Sequence, residues 1–405
     1  MTPRVAFGID RLVDDRFARL RGRRIGLIAN QTTVDRRMRH LADLLHAEPG
    51  VELVALFGPE HGIRGDAQDM IGVDRSIDAR TGVVSHSLYG DSFESLTPSA
   101  EQLDGIDMLI FDVQDVGSRY YTFAATMAYA MRAAAERGIA FLVLDRPNPI
   151  GGAAIEGPSI TAGHASFVGF HPMPIRHGLT VGEIARLYAS EPALDLDLEV
   201  VPCTGWRRTM LWDDLDRPWI NPSPNMPSPD TALVYPGGCI VEGTSLSEGR
   251  GTTRPFEFWG GPDLDPDRIL EIALELLGEL AAGAIPRVHG FRPTFHKHRD
   301  RLCLGVQPMI VDAERFRPVA WYTAMLAAAR ISTPHAFVWR TEPYEFVADP
   351  IAVDLLYGSP RERIAIDEGL DADRFRSLVE VEWRRDEHDF RERRLPHLLY
   401  FEADW

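Results

Sequence analysis

Cysteine is scarce in this chain: Cys203, Cys239 and Cys303 are the only three in 405 residues, odd in number and widely spaced. That excludes a disulfide framework and a zinc-binding pattern, and it fits a reducing compartment. Lysine is scarcer still, with Lys297 alone. The other basic residues are arginines, which reads as the codon bias of a GC-rich genome. It also makes any basic group of a binding site a permanently charged, fork-shaped guanidinium. Positive charge is in deficit: 43 basic against 60 acidic residues give a formal net charge of −17. Such a surface repels nucleic acid and anionic membranes, so neither is expected as a partner. No apolar run approaches the roughly 18 residues of a membrane span. Met1 leads through Thr2-Pro3-Arg4 into Gly8-Ile9-Asp10-Arg11 without the apolar centre of a signal peptide. As written the chain reads as cytoplasmic, or as secreted or periplasmic if an export signal has been removed. The glycine-rich run Glu242–Arg254 lacks a GK[ST] ending, and no GxGxxG, HExxH or GxSxG occurs. Neither a cofactor nor a metal is expected.

What is present is the composition of a globular protein, 45% hydrophobic and 25% charged, long enough for two domains. Strand-like and helix-like segments alternate through the first half. Arg24–Asn30, Val51–Phe57, Asp107–Val113 and Ile139–Leu144 read as strands buried on both faces, and Val83–Tyr89 as a weaker one. Val34–His46, Tyr120–Gly138 and Thr180–Ser190 read as helices, the last with a Thr180/Glu183 capping box. The alternation predicts an α/β fold with a doubly wound, mostly parallel sheet. At Trp219–Pro229, four prolines in eleven residues change the character of the chain and predict a rigid ordered loop. The boundary is set here, with a first domain of residues 1–228 and a smaller second domain of 229–405. In the second part, Thr231–Val241 and Leu302–Val311 read as strands. Pro266–Ala282, Val319–Arg330 and Asp371–Arg385 read as helices.

The richest stretch is VELVALFGPEHGIRG. Its strand stops at Gly58-Pro59, and Glu60, His61 and Arg64 follow among Gly58, Gly62 and Gly65. In open α/β sheets ligands bind beyond the carboxyl ends of strands. Three other strand ends deliver polar groups to the same edge: Asn30 and Gln31; Asp112, Gln114, Asp115 and Arg119; and Asp145, Arg146 and Asn148. Together they suggest a pocket for a polar, hydroxyl-rich ligand, with Tyr121 available to stack. Plainer readings compete. Asp145–Pro149 could be a stiff turn, Asp112 and Asp115 helix caps, Tyr121 helix packing, and Glu60-His61 a buried ion pair.

The motifs GIDRL, IGLIANQT, LFGPEHGIRG, DVQDVGSRYYT, LDRPNPIGG, PIRHGLTVGEIA, NPSPNMPS and VYPGGCIVEGTSLSEGRGTTRPFE, with the closing LLYFEAD, run in this order. In them the chain resembles the NamZ-type exo-β-N-acetylmuramidases over nearly its full length. The resemblance implies a Rossmann-like first domain, a smaller α/β second domain and an active site in the cleft between them. It implies release of N-acetylmuramic acid (MurNAc) from the non-reducing end of peptidoglycan fragments of the MurNAc–GlcNAc type, where GlcNAc is N-acetylglucosamine. It also implies that Glu60 of the PEHG motif is the catalytic glutamate.

Glycoside hydrolysis calls for an acid and a second group. Glu60 is the candidate acid, tuned by His61 or an aspartate. Asp115, Asp112 and Glu248 are candidates for the second group, which the substrate's acetamide could replace. Arg64, Arg146 or Arg176 could clamp the lactyl carboxylate of muramic acid, with His177 beside them. Asn30, Gln31 and Gln114 suit the acetamido group. Asn221, Ser223, Asn225, Glu248, Arg250 and Thr252 would form the facing wall. A non-catalytic muropeptide or amino-sugar binder and a β-N-acetylglucosaminidase-like hydrolase are the alternatives.

Overall fold

Period-two alternation along strands buried on both faces organises the first half of the molecule. The structure, a computed structural model, describes residues 5–64, 76–90, 92–191 and 193–401. Gly65, the first four residues and the end of the LLYFEAD motif lie outside them. Strands β1 (Arg24–Ala29), β2 (Glu52–Gly58), β3 (Ser76–Ile77), β4 (Val84–Ser87), β5 (Met108–Asp112), β6 (Ala140–Leu144) and β7 (Leu198–Val201) form one sheet. Their order is β3-β4-β2-β1-β5-β6-β7, parallel throughout except for the β3–β4 pair. With the short β3 set aside, the parallel strands follow the doubly wound order of dinucleotide-binding folds, reversing direction between β1 and β5. Met108 and Ile110 of β5 pack on one face with helices α1 (Gly8–Asp14) and α2 (Leu41–Ala47). Leu109 and Phe111 pack on the other with α3 (Phe123–Arg137) and α4 (Val181–Ser190). Successive strand residues point to opposite faces, so helices on both sides demand continuous apolar strands.

The second half builds on α5 (Pro229–Gly238), α6 (Pro266–Leu277) and α7 (Pro318–Ser332), with a three-stranded antiparallel sheet. Its strands are β8 (Trp259–Gly261), β9 (Ala284–Phe291) and β10 (Cys303–Ile310), in the order β8-β10-β9. The apolar core behind α3 continues into this half through Tyr235, Trp321 and Tyr322. Among the described residues no helix is long and apolar enough to cross a membrane.

Three expected elements differ. Residues 34–40 do not join α2. Met38 takes φ +60°, and the His40 ring accepts from the Ala42 N–H at 3.2 Å to start the helix late. Thr231–Val241 is helix rather than strand over most of its length. The Ser228 hydroxyl accepts the Thr231 N–H at 3.2 Å and Pro229 opens the first turn, and these start signals outweigh the β-favouring side chains. The helix expected over Asp371–Arg385 contains a π-helical segment at Leu378–Trp383.

Residues 219–228 form the ordered loop expected of their prolines. Trp219 donates its indole N–H to the Met226 carbonyl at 2.9 Å. Gln31, after β1, donates to the carbonyls of Asn221 (2.7 Å) and Pro222 (3.0 Å). The loop is thereby bonded to the end of β1, beside the point where the strand order reverses.

Candidate active site

The carboxyl end of β2 turns sharply at Pro59–Gly62, where the Gly62 N–H bonds the Pro59 carbonyl at 3.0 Å. His61 takes φ +74°, a conformation a non-glycine residue adopts at a cost of roughly 1–2 kcal/mol. A Cβ at Gly58 would stand 2.9 Å from the Ile63 nitrogen, so glycine is required for the chain to fold back this closely. The turn sets Glu60 on the wall of a cleft of about 150 Å³. Its side chain keeps 15% of its surface, its Oε2 accepts from the Thr122 hydroxyl at 3.2 Å, and the His61 ring nitrogen stands 3.9 Å from Oε1.

Tyr120, Tyr121 and Phe123 extend this wall at the start of α3, and Ser223, Asn225 and Met226 of the proline loop continue it. Burial pushes the Tyr121 phenol well up, so it stays a neutral O–H. The second half supplies Glu242, Arg250 and Phe256, then His296, Arg340, Tyr344 and Glu345. Glu242 is held at both oxygens: Arg250 donates to one at 2.8 Å and the Tyr344 hydroxyl to the other at 2.7 Å.

Behind this pair lies fully buried Glu248, with Lys297 at 2.9 Å, His296 at 3.2 Å and Arg250 at 3.5 Å. Burial pushes its carboxyl up, but Lys297, His296 and Arg250 together hold it far below the usual carboxylate range. The chain's one lysine also donates to the carbonyls of Val241, Glu242 and Leu246 at 3.0–3.4 Å. It fastens the loop that carries Glu242 and Arg250.

Of the residues singled out from sequence, Glu60, His61, Tyr121, Ser223, Asn225 and Arg250 share this cleft, with Glu248 one layer behind. The others stand elsewhere. Asn30 and Gln31 brace the proline loop. Arg64 lies against Asp43 (2.9 Å) and Asp78 (3.0 Å). Asp112 and Arg146 form a buried pair at 2.6 Å, in which burial raises the carboxyl and Arg146 opposes the rise. Gln114 donates to the carbonyls of Asp115 and Pro147. Buried Asp115 accepts the Gly117 N–H at 2.6 Å and faces the His177 Nε2 at 3.5 Å. The Leu179 N–H bonds the His177 Nδ1, which leaves the ring proton on the side of Asp115.

Arg119 donates to the carbonyls of Pro158, Met173 and Leu356, tying the two halves together. Asp145 caps α4 through Gly182 and Thr180, and burial raises it to about 7. Asn148 bonds the Leu179 carbonyl, and Arg176 that of Ile150. Among the described residues no group of three or more His, Cys, Asp or Glu side chains is arranged to hold a metal ion.

Glu242, Arg340 and Glu345 were not singled out from sequence. Glu242 lies inside the VYPGGCIVEGTSLSEGR motif, six residues from Glu248, so the motif was the available signal. Arg340 and Glu345 sit in an irregular stretch without periodicity or motif, and only the fold brings them to the cleft.

A carboxylate presented at the edge of a doubly wound sheet, facing further carboxylates, tyrosines and arginines across a cleft, is the build of a glycoside-cleaving hydrolase. The family follows from comparison. Models of the exo-β-N-acetylmuramidase NamZ family match the chain, the N-terminal one over residues 25–230 and the C-terminal one over 233–400, and the chain belongs to that family. It is 47% identical over 317 residues to the peptidoglycan β-N-acetylmuramidase NamZ of Bacillus subtilis strain 168, covering 78% of this chain and 75% of that protein. Two crystal structures of DUF1343 family proteins from Bacteroides fragilis NCTC 9343 share the fold. One has a TM-score of 0.85 at 34% identity and the other 0.74 at 30%, and each match covers 98% of this chain and 99% of the other.

Proposed function

We propose that the protein is an exo-acting β-N-acetylmuramidase that releases MurNAc from the non-reducing end of peptidoglycan-derived glycans of the MurNAc–GlcNAc type. The observation that carries this reading is the placement of Glu60. A strained turn holds it at the cleft wall, with one oxygen fixed by Thr122, in the cleft that the salt-bridged Glu242 also lines. Residues 1–228 supply the acid and residues 229–405 the facing wall.

Glu60 protonates the glycosidic oxygen as the bond to the anomeric carbon breaks, which leaves positive charge on the sugar ring until water adds to the anomeric carbon and its released proton restores the acid. Glu242, locked by Arg250 and Tyr344, faces that charge without reorganising. Glu242 lines the cleft, whereas Asp115, Asp112 and Glu248 do not and are engaged in buried contacts behind or beside it, which favours Glu242 as the second carboxylate. The net charge of −17 supports a partner other than nucleic acid or an anionic membrane.

The test is incubation of purified protein with MurNAc–GlcNAc and chromatography of the products. Free MurNAc and GlcNAc in equal amounts are expected. No release across pH 5 to 8 contradicts the reading, and sugar binding without turnover turns it into that of a carrier. Faster cleavage of a GlcNAc glycoside than of a MurNAc glycoside turns it into that of a glucosaminidase.

A further inference from the structure

Among the described residues three carboxylates, Glu60, Glu242 and Glu345, line the cleft, and the proposed sugar brings a further one on its lactyl ether. A further anion enters such a site only against a cation whose charge is not already spent. The cleft histidines are turned inward, His61 toward Glu60 at 3.9 Å and His296 toward Glu248 at 3.2 Å. Arg250 is committed to Glu242 at 2.8 Å and Glu248 at 3.5 Å, and it also lies over the Phe256 ring.

Arg340 differs from all of these. It is half-buried on the cleft wall, donates from Nη2 to the Pro343 carbonyl at 3.3 Å, and lies 5.2 Å from the centre of the Tyr344 ring. Among the described residues no carboxylate stands within ion-pair distance of it. The ring it leans on belongs to the tyrosine that donates to Glu242, so the guanidinium is placed relative to a carboxylate that lines the same cleft as Glu60.

We propose that Arg340 binds the lactyl carboxylate of the terminal muramic acid and thereby sets the preference for MurNAc over GlcNAc, two sugars that differ in that substituent alone. The inference rests on the muramidase reading and adds the residue that reads the acid. A guanidinium with one N–H anchored to its own turn keeps its remaining donors in a fixed plane, the geometry for two parallel bonds to a carboxylate.

The test is a cycle between protein and ligand, read by calorimetry with MurNAc and its carboxyl methyl ester. The intact protein should bind the acid about 10- to 100-fold more tightly than the ester, the worth of charge-assisted hydrogen bonds. In Arg340→Ala that ratio should fall to within about threefold, and Arg340→Lys should recover part of it by restoring charge without the fork. A ratio in Arg340→Ala equal to that of the intact protein overturns the proposal. If MurNAc–GlcNAc is not hydrolysed yet the ratio collapses in Arg340→Ala, the hydrolase reading fails and acid recognition by Arg340 stands. If hydrolysis occurs and the ratio persists, the proposal alone fails.

Discussion

Replacing Lys297 by methionine tests the loop that carries half of the cleft. Met keeps most of the aliphatic stem, so the change removes a charge and the three N–H donors shared among four acceptors: Glu248 at 2.9 Å and three carbonyls at 3.0–3.4 Å. Breaking a buried ion pair from one side costs about 3–5 kcal/mol, because the remaining charge stays buried. Glu248 keeps His296 at 3.2 Å and Arg250 at 3.5 Å, which places the loss near the lower end, about 3 kcal/mol. For a unit of this size that lowers Tm by about 6–12 °C. Glu248 is held below its unfolded value, so its contribution is present above the unfolded pKa and is lost as pH falls through the folded one. Melting curves from pH 7 downward should therefore show the variant's deficit shrinking in acid, below about pH 4. The double variant Lys297→Met/Glu248→Leu should recover stability relative to Lys297→Met, since no buried charge is stranded. A Tm within 2 °C of the parent, or single costs that simply add in the double variant, would refute the reasoning.

Glu242→Gln should lower kcat for MurNAc–GlcNAc by about 10²-fold or more with a smaller change in KM, as expected of a group that acts on charge developing in the transition state. Steady-state kinetics check this, and a pure KM effect would assign Glu242 to ground-state binding. Asp145, raised to about 7 by burial, contributes stability below its unfolded pKa that is lost as pH rises through 7. Asp145→Asn should therefore flatten the dependence of Tm on pH between 5 and 8; an unchanged slope would count against that assignment.

Much of the sheet was legible because its chemistry is local. Helices on both faces force β1, β5 and β6 to be apolar throughout, and a strand ending in Gly58-Pro59 with Glu60 behind it announces a ligand edge. The helix over Pro229–Gly238 reads as a strand from sequence because Thr231, Val234 and Tyr235 favour strands, and the Ser228-Pro229 helix start outweighs them in the fold. The strand-end groups split for a physical reason. The loop of residues 219–228 packs against the end of β1, so Asn30 and Gln31 brace protein, and Gln114 and Arg146 bond neighbouring chain. Arg340 and Glu345 reach the cleft through an irregular stretch more than 270 residues away from Glu60, a juxtaposition that periodicity cannot carry.

The central claim, that Glu60 is the acid of a glycosidase, is tested most directly by Glu60→Gln assayed on two MurNAc β-glycosides. Glutamine preserves the acceptor for the Thr122 hydroxyl, so folding and sugar binding should hold. With GlcNAc as the leaving group, which needs a proton, kcat should fall about 10³-fold or more. With 4-nitrophenol, which departs as a stable anion, the loss should be at least tenfold smaller. Equal losses on both substrates, or near-parental turnover of MurNAc–GlcNAc, would contradict the account.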